Sequence, residues 1–262
     1  MKIYPRENRK IAHVTGIPID ELSWNDAISI ISQWAEKNES KYVCICNAHS
    51  IVTAKRDLEF NTVIDEADMA TPDGAPVAWM MSRGNKKRQE RINGPDLMIK
   101  YFDQANKSGQ SVFLYGGMPA TLCLLEQKIR EKFPFLKIAG THSPPFRKLS
   151  NHEKQEIVRK INESGANTVW VGLGCPKQEK WMYEHRGEIS AVMIGVGAAF
   201  DYHAGVIKRA PMWMQNNGLE WLHRLISEPR RLWRRYFFTN TLFVMYALKE
   251  IFSSIVLGWK KK

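Results

Sequence analysis

Short runs of apolar residues alternate along the chain with longer segments in which apolar residues recur at helical spacing. Apolar runs are typical of buried strands, and helical spacing is typical of amphipathic helices. After an opening strand or hairpin at 11–17, the predicted strands are 42–46, a run that ends at Asp73, 111–115, 136–139, 168–172 and 191–195. The predicted helices are 23–35, capped by Ser23, 47–60, capped by Asn47, 74–82, 94–105, 119–132, 151–163 and 177–185. This alternation predicts an α/β fold with a mainly parallel, Rossmann-like sheet and helices on both faces.

The pattern changes after Pro211, where aromatic and leucine-rich helical segments carry arginines at short spacing. We therefore predict an α/β catalytic domain at 1–205 and a C-terminal helical, basic and aromatic appendage at 206–262. Residues 236–259 are apolar but are interrupted by polar and charged residues, Asn240, Lys249 and Glu250. This composition favours a helix that lies in a membrane interface over one that crosses the membrane, which stays the alternative.

Most of the positive charge lies in the appendage. The net charge is +11, and residues 206–262 carry eleven Lys and Arg against three Glu, a local balance of +8. Such a segment favours attachment to an anionic membrane surface. Nucleic acid is disfavoured as a partner, because the arginines accompany Leu, Trp and Phe at helical spacing. The basic stretch 84–91 is predicted to be a loop.

The N-terminus is polar and charged and has no apolar signal region, so we expect the chain to stay in the cytoplasm, attached peripherally to the inner face of the cell membrane. The four cysteines contain no C-x-x-C pair. We therefore expect buried, reduced thiols and no metal site. The appendage could also form a dimer interface, which leaves a homo-oligomer possible.

Asp73 lies between Pro72 and Gly74 where a strand gives way to a helix. In open α/β sheets, ligands bind beyond the carboxyl ends of the strands. We interpret Asp73 as a catalytic base on that argument, and the alternative is a simple helix cap.

Glycines follow two other predicted strands, Gly116 and Gly117 after the first and Gly172 and Gly174 after the second. Their backbone amides could approach a nucleotide diphosphate closely, or they could simply form tight turns. The chain lacks the P-loop and dinucleotide-binding glycine patterns, which disfavours ATPase and NAD-dependent activities.

Four motifs occur in a fixed order along the chain: Asn47-Ala48, Pro72-Asp73-Gly74, RINGPDL at 91–97 and GLGCPKQE at 172–179. With these motifs the sequence resembles the WecG/TagA/CpsF family of bacterial glycosyltransferases. Further matches lie at 113–117, 195–201, 208–211 and 218–222. The resemblance covers roughly residues 40–235.

The resemblance implies an inverting transfer of a sugar from a UDP-sugar to a polyprenyl-diphosphate-linked saccharide, in the synthesis of a cell-surface polysaccharide or teichoic acid type glycan. It implies no cofactor and no metal. It further implies that Asp73 is the general base. The donor sugar would contact Asn47, Arg91 and Gln178, and the nucleotide diphosphate would contact the four glycines together with Asp201 and Arg209.

Departing UDP carries negative charge that must be met by amides and arginines. The appendage offers five arginines for this purpose or for lipid head groups: Arg224, Arg230, Arg231, Arg234 and Arg235. His49 is a minor candidate for a sugar ligand or for the base. Ile45 replaces a threonine found in many members of the family, so the resemblance does not specify N-acetylmannosamine as the donor. The alternative function is a non-catalytic basic protein that binds membrane or nucleic acid.

Overall fold

A computed structural model of the chain describes residues 9–83 and 88–259. Its strands are β1 (Ile11–Val14), β2 (Ile17–Asp20), β3 (Lys41–Cys46), β4 (Met69–Pro72), β5 (Ser111–Gly116), β6 (Lys137–His142), β7 (Thr168–Gly172) and β8 (Val192–Gly195). The first two form an antiparallel hairpin. The other six form one sheet in the order β4-β3-β8-β7-β5-β6, and every neighbouring pair is parallel. The predicted parallel α/β fold is confirmed.

The helices are α1 (Trp24–Glu36), α2 (Ala48–Arg56), α3 (Leu58–Asp65), α4 (Ala75–Ser82), α5 (Gly94–Ser108), α6 (Pro119–Lys132), α7 (Asn151–Glu163), α8 (Lys177–Glu184), α9 (Ala199–Ala204), α10 (Met212–Asn216), α11 (Glu220–Ser227) and α12 (Pro229–Trp259). They cover both faces of the sheet and form two buried apolar clusters. The helices α1, α5, α6 and α9 contribute to one cluster. The other cluster includes residues of α2, α3, α4, α7, α8 and α12.

The predicted helix 47–60 is wrong, because the chain forms two helices that meet at Asp57. Asp57 has an extended backbone, with φ −123° and ψ 105°, so it cannot continue α2. Its side chain instead accepts a hydrogen bond from the backbone N–H of Phe60 and begins α3. The predicted caps Ser23 and Asn47 are confirmed at the starts of α1 and α2. Part of the predicted loop 84–91, residues 84–87, lies outside the described residues.

The cysteines are all free, but they differ in exposure. Cys44 and Cys46 are buried in β3, as expected, and Cys175 is half-buried. Cys123 is exposed on α6, so the expectation of buried thiols is wrong there. Its neighbours on the buried face of α6, Leu122 and Leu125, take the core positions instead.

The long helix α12 packs back on the α/β body along α2. Four residues at helical spacing are buried on its inner face: Leu232, Thr239, Phe243 and Ala247. Phe243 and Ala247 belong to the same apolar cluster as β3. The outer face is also apolar but exposed, with Phe237, Val244, Leu248 and Phe252. In residues 9–83 and 88–259, neither α12 nor any other helix is long and apolar enough to cross a bilayer. The domain boundary at 205 stays a prediction.

The ends of β5 and β7 approach each other closely at two glycines. Gly116 has φ +112°, and a Cβ there would lie 2.7 Å from the backbone of Gly172. A Cβ on Gly172 would in turn lie 2.7 Å from the ring of Phe200. Gly109 provides a contrast, since its φ is +76° but a Cβ would have nothing within 4 Å.

We expect Gly116→Ala to destabilise the protein by about 3 kcal/mol and Gly109→Ala by only about 1 kcal/mol. Both substitutions strain a positive φ, but only the first also forces two backbone segments apart. Urea unfolding of the two variants measures the difference. Equal losses would show that the close contact at Gly116 contributes nothing.

Candidate active site

The strand ends bring two polar side chains together at the carboxyl edge of the sheet. Asn47 follows β3 and Asp73 follows β4, and the backbone N–H of Asp73 donates to the Cys46 carbonyl at 2.9 Å. The Asn47 side-chain oxygen accepts from the backbone N–H groups of His49 (3.0 Å) and Ser50 (3.2 Å). The Asn47 side chain also hydrogen-bonds to Asp73. A single asparagine therefore caps α2 and orients the carboxylate.

Asp73 is enclosed on most sides but remains accessible, with 23% of its side chain exposed. Burial raises the pKa of Asp73, opposed by the nearby Arg91 and by hydrogen bonds from Asn47 and the Gly74 backbone. Gly74, rather than Asp73, is the N-cap residue of α4, and no side chain caps that helix. The Asp73 carboxylate therefore does not cap α4 and is available for another role.

Arg91 is held next to Asp73 by backbone hydrogen bonds. The N–H of Ile92 donates to the Pro72 carbonyl at 2.9 Å. The Arg91 Nε lies 3.9 Å from an Asp73 oxygen, which is an ion pair without a hydrogen bond. Its other nitrogens donate to the Glu220 carboxylate and, at 3.3 Å, to the Gln215 carbonyl. The structure therefore brings Asn47, Asp73 and Arg91 into one cluster.

Gln178 lies beneath this edge and is 4% exposed. Its Oε1 accepts from the Gly174 backbone N–H at 3.1 Å, and its Nε2 donates to Glu179 at 2.9 Å. The Gly117 N–H donates to the Gly172 carbonyl at 3.2 Å. The amides of Gly117 and Gly174 are therefore used within the protein, and Gln178 shapes the glycine turn.

The arginines of the appendage divide into two groups. Arg224 and Arg235 are half-buried, and the Nε of each has no hydrogen-bond partner among the described residues. Burial raises the pKa of Asp201, and the charges of Arg224 and Arg231 oppose that rise. The second group, Arg230, Arg231 and Arg234, is exposed. The Arg224 Nε lies 3.8 Å from a Glu228 oxygen, which is an ion pair without a hydrogen bond. A buried N–H group without an acceptor is costly unless a ligand satisfies it.

Arg209 is engaged by two carboxylates. It donates to Asp96 at 2.5 Å and 2.9 Å and to Glu220 at 3.1 Å. Asn93 supports this arrangement, since its side chain donates to Asp96 at 2.7 Å. The diphosphate role of Arg209 stays a prediction.

These residues fall within one matched segment. A family model described as the Glycosyl transferase WecG/TagA/CpsF family matches residues 12–255. The chain belongs to this family. The resemblance inferred from the motifs is confirmed, and with it a glycosyltransferase role in cell-surface glycan synthesis.

In this glycosyltransferase, His49 faces α12 rather than Asp73. Its Nδ1 lies 3.4 Å from the Thr239 hydroxyl. Burial and then the charge of Arg235 lower the pKa of His49 to about 4, so the ring is neutral at pH 7 and a weak base. In the described part of the chain, no group of three or more His, Cys, Asp or Glu is placed to hold a metal ion.

Sequence reasoning did not single out two carboxylates of the glycosyltransferase, Glu179 and Glu220. Glu220 lies within the matched motif at 218–222, between two arginines in space, but that proximity depends on the fold. Glu179 is 1% exposed, and its Oε2 has no hydrogen-bond partner in the described residues. Burial raises the pKa of Glu179 to about 7. No sequence pattern indicates that the Glu179 side chain of the GLGCPKQE motif is buried.

We expect Glu179→Gln to change how stability depends on pH. An acid whose folded pKa is raised stabilises the fold below its unfolded pKa and loses that contribution as pH rises through the folded pKa, here about 7. Relative to the wild type, the variant should gain about 2 to 3 kcal/mol between pH 5 and pH 8. Urea unfolding at both pH values measures this. Glu163→Gln, on an exposed helix end, is the control, and an equal pH dependence in all three proteins would contradict the prediction.

Proposed function

We propose that this glycosyltransferase moves a sugar from a UDP-sugar to a polyprenyl-diphosphate-linked saccharide with inversion at the anomeric carbon, at the cytoplasmic face of the membrane. The observation that carries the proposal is the placement of Asp73. It is a partly exposed carboxylate with a raised pKa, at the sheet edge where ligands bind in α/β folds. Arginines of the appendage approach the same region, since Tyr236 senses the charges of Arg224, Arg235 and Asp73.

The proposed reaction is a single displacement. The acceptor hydroxyl loses its proton to Asp73 while its oxygen bonds to the anomeric carbon of the donor. The bond from that carbon to the UDP oxygen breaks, and its electron pair leaves with UDP. One attack from the face opposite the leaving group inverts the configuration. A raised pKa suits Asp73 to this task, because a stronger base takes the proton more readily near neutral pH.

The leaving diphosphate is assigned to the inner arginines of the appendage. The Nε of Arg224 and the Nε of Arg235 are buried and make no hydrogen bond among the described residues, and a diphosphate would supply acceptors. Tyr236 follows Arg235 and lies close enough to sense the charge of Asp73. The same tyrosine senses the charges of Arg224 and Arg235, which supports cations close to the base. Arg224 also forms an ion pair with Glu228, 3.8 Å from its Nε. Arg231 and Asp201 complete the same region.

The donor sugar is assigned to the cluster of Asn47, Arg91 and Gln178. Asn47 and Arg91 lie beside Asp73 and could contact sugar hydroxyls. Gln178 would support the donor site indirectly, because its side chain is buried and accepts a hydrogen bond from the Gly174 backbone. Arg209 and the turns at Gly116 and Gly172 would then border the nucleotide.

Membrane attachment is assigned to the outer face of the C-terminal helices. Large apolar side chains are exposed there beside arginines: Trp213, Trp221, Trp233, Phe237, Phe238, Met245 and Phe252. Exposed apolar patches of this kind mark interaction sites, and aromatic and basic residues together suit a bilayer interface. A lipid-linked acceptor would require the enzyme to work at that surface.

We expect Asp73→Asn to lower sugar transfer by about 10³-fold, since the amide cannot accept the proton. UDP affinity should stay within about 2-fold, because the base does not contact the leaving diphosphate. A UDP-release assay with a panel of UDP-sugars and a short polyprenyl-diphosphate-sugar acceptor measures the rate, and calorimetry measures UDP binding. Asp103→Asn, on the exposed face of α5, is the control. A variant that keeps most of its rate would exclude Asp73 as the base.

Two adjacent arginines separate the diphosphate role from the membrane role. We expect Arg235→Gln to weaken UDP binding about 10- to 100-fold and to leave vesicle binding unchanged. Arg234→Gln should leave UDP binding unchanged and lower partitioning to anionic vesicles about 5-fold, the effect of one basic residue at a charged surface. Calorimetry and vesicle sedimentation measure the two. If both variants behave alike in both assays, the division into inner and outer arginines is wrong.

A further inference from the structure

Five charged side chains form a line of alternating sign that ends at the proposed base. The order is Asp96, Arg209, Glu220, Arg91 and Asp73. Glu220 is the central member and contacts both arginines, with Arg209 at 3.1 Å. All five side chains are only partly exposed, so solvent screens the charges incompletely.

The position of Glu220 depends on a close backbone contact. Glu220 is the first residue of α11, and it follows the turn at Gly218, where φ is +71°. A Cβ on Gly218 would lie 2.6 Å from the Cβ of Ala75, the first residue of α4. This contact sets the start of α11 against the loop that carries Asp73. The Glu220 carboxylate thereby reaches Arg91 from a distant part of the sequence.

We propose that Glu220 is a positioning residue that holds Arg91 away from Asp73 and so keeps Asp73 able to accept a proton. This inference rests on the proposed function, in which Asp73 is the base. Arg91 directs its hydrogen bonds to Glu220 and to the Gln215 carbonyl, and only its Nε faces Asp73, at 3.9 Å. A direct Arg91–Asp73 hydrogen bond would occupy the oxygen lone pairs that the proton must reach.

The electrostatic surroundings of Asp73 act in the same direction. Burial and the charge of Glu220 raise the pKa of Asp73, and Arg91 lowers it. The other groups that face Asp73 are Tyr236 of α12, Cys46 of β3 and the neutral Asn47. Removing the charge of Glu220 removes a repulsion that raises the pKa of Asp73. It also frees Arg91 to approach Asp73, which would lower that pKa further.

The experiment compares the pH dependence of kcat/KM for the wild type, Glu220→Gln and Glu220→Asp. The Gln variant keeps the size of the side chain and loses its charge. We expect the acidic limb of its pH profile, where activity falls as Asp73 becomes protonated, to move to lower pH by about one pH unit. We also expect its kcat to fall about 3- to 10-fold, because a weaker base accepts the proton less effectively. The Asp variant, with a shorter reach, should shift the limb in the same direction by less. Glu126→Gln, in an exposed ion pair on α6, should change neither quantity.

A purely structural role of Glu220 would lower activity without moving the acidic limb. An unmoved limb in Glu220→Gln therefore overturns the proposal, whatever the loss of kcat. If the Gln variant does not fold, the limb of Glu220→Asp decides the matter in the same way.

A second measurement separates this inference from the proposed function. The carboxyl ¹³C signal of Asp73 is followed by NMR against pH in the free protein, and it is identified by its absence in Asp73→Asn. In Glu220→Gln we expect the pH midpoint of this signal to fall by about one pH unit, as in the pH profile of kcat/KM. A midpoint unchanged by Glu220→Gln overturns the inference even where Asp73 is confirmed as the base. Full activity of Asp73→Asn would instead refute the base itself.

Discussion

The parallel direction of the six central strands is the constraint on which the site depends. Because all the strands point the same way, the segments that follow them meet at one edge. Asn47, Asp73 and the turn at Gly172–Gly174 reach that edge from widely separated positions in the sequence. Two backbone hydrogen bonds, from Asp73 to Cys46 and from Ile92 to Pro72, then set the carboxylate and Arg91 side by side. The close approach of Gly116 to Gly172 brings the ends of β5 and β7 together at the same edge.

The charges at this edge are arranged in two different ways. Next to the base, Arg91 and Arg209 are each matched by two carboxylates within ion-pair distance. On α11 and α12, Arg224 and Arg235 each have a buried Nε that makes no hydrogen bond among the described residues, although Arg224 also forms an ion pair with Glu228 at 3.8 Å. Paired and hydrogen-bonded charges fix a geometry, whereas buried N–H groups without acceptors favour an anionic ligand. The protein thus combines a rigid base with cations that are still able to bind.

Much of the fold could be predicted from local patterns, since strand runs, helix spacing and caps such as Ser23 act over a few residues. The position of Asp73 at a strand end followed from the same argument. The break at Asp57 could not be predicted, because the apolar spacing continues through it and a single extended residue interrupts the helix. Contacts between residues that are far apart in the sequence could not be predicted either. The pairing of Glu220 with Arg91 and the burial of Gln178 depend on which elements become neighbours, and that is decided by the whole core.

The helix α12 has apolar residues on two faces, and only the inner face is covered by the body. Its buried side chains Phe243 and Ala247 share a core with β3, and His49 of α2 meets Thr239 across the contact. Helix α12 therefore shares part of its packing with the α/β body. A chimera that exchanged the C-terminal helices between two relatives would also have to exchange the surface of α2 that contacts α12. Otherwise the incoming α12 would lack a matching surface to pack against.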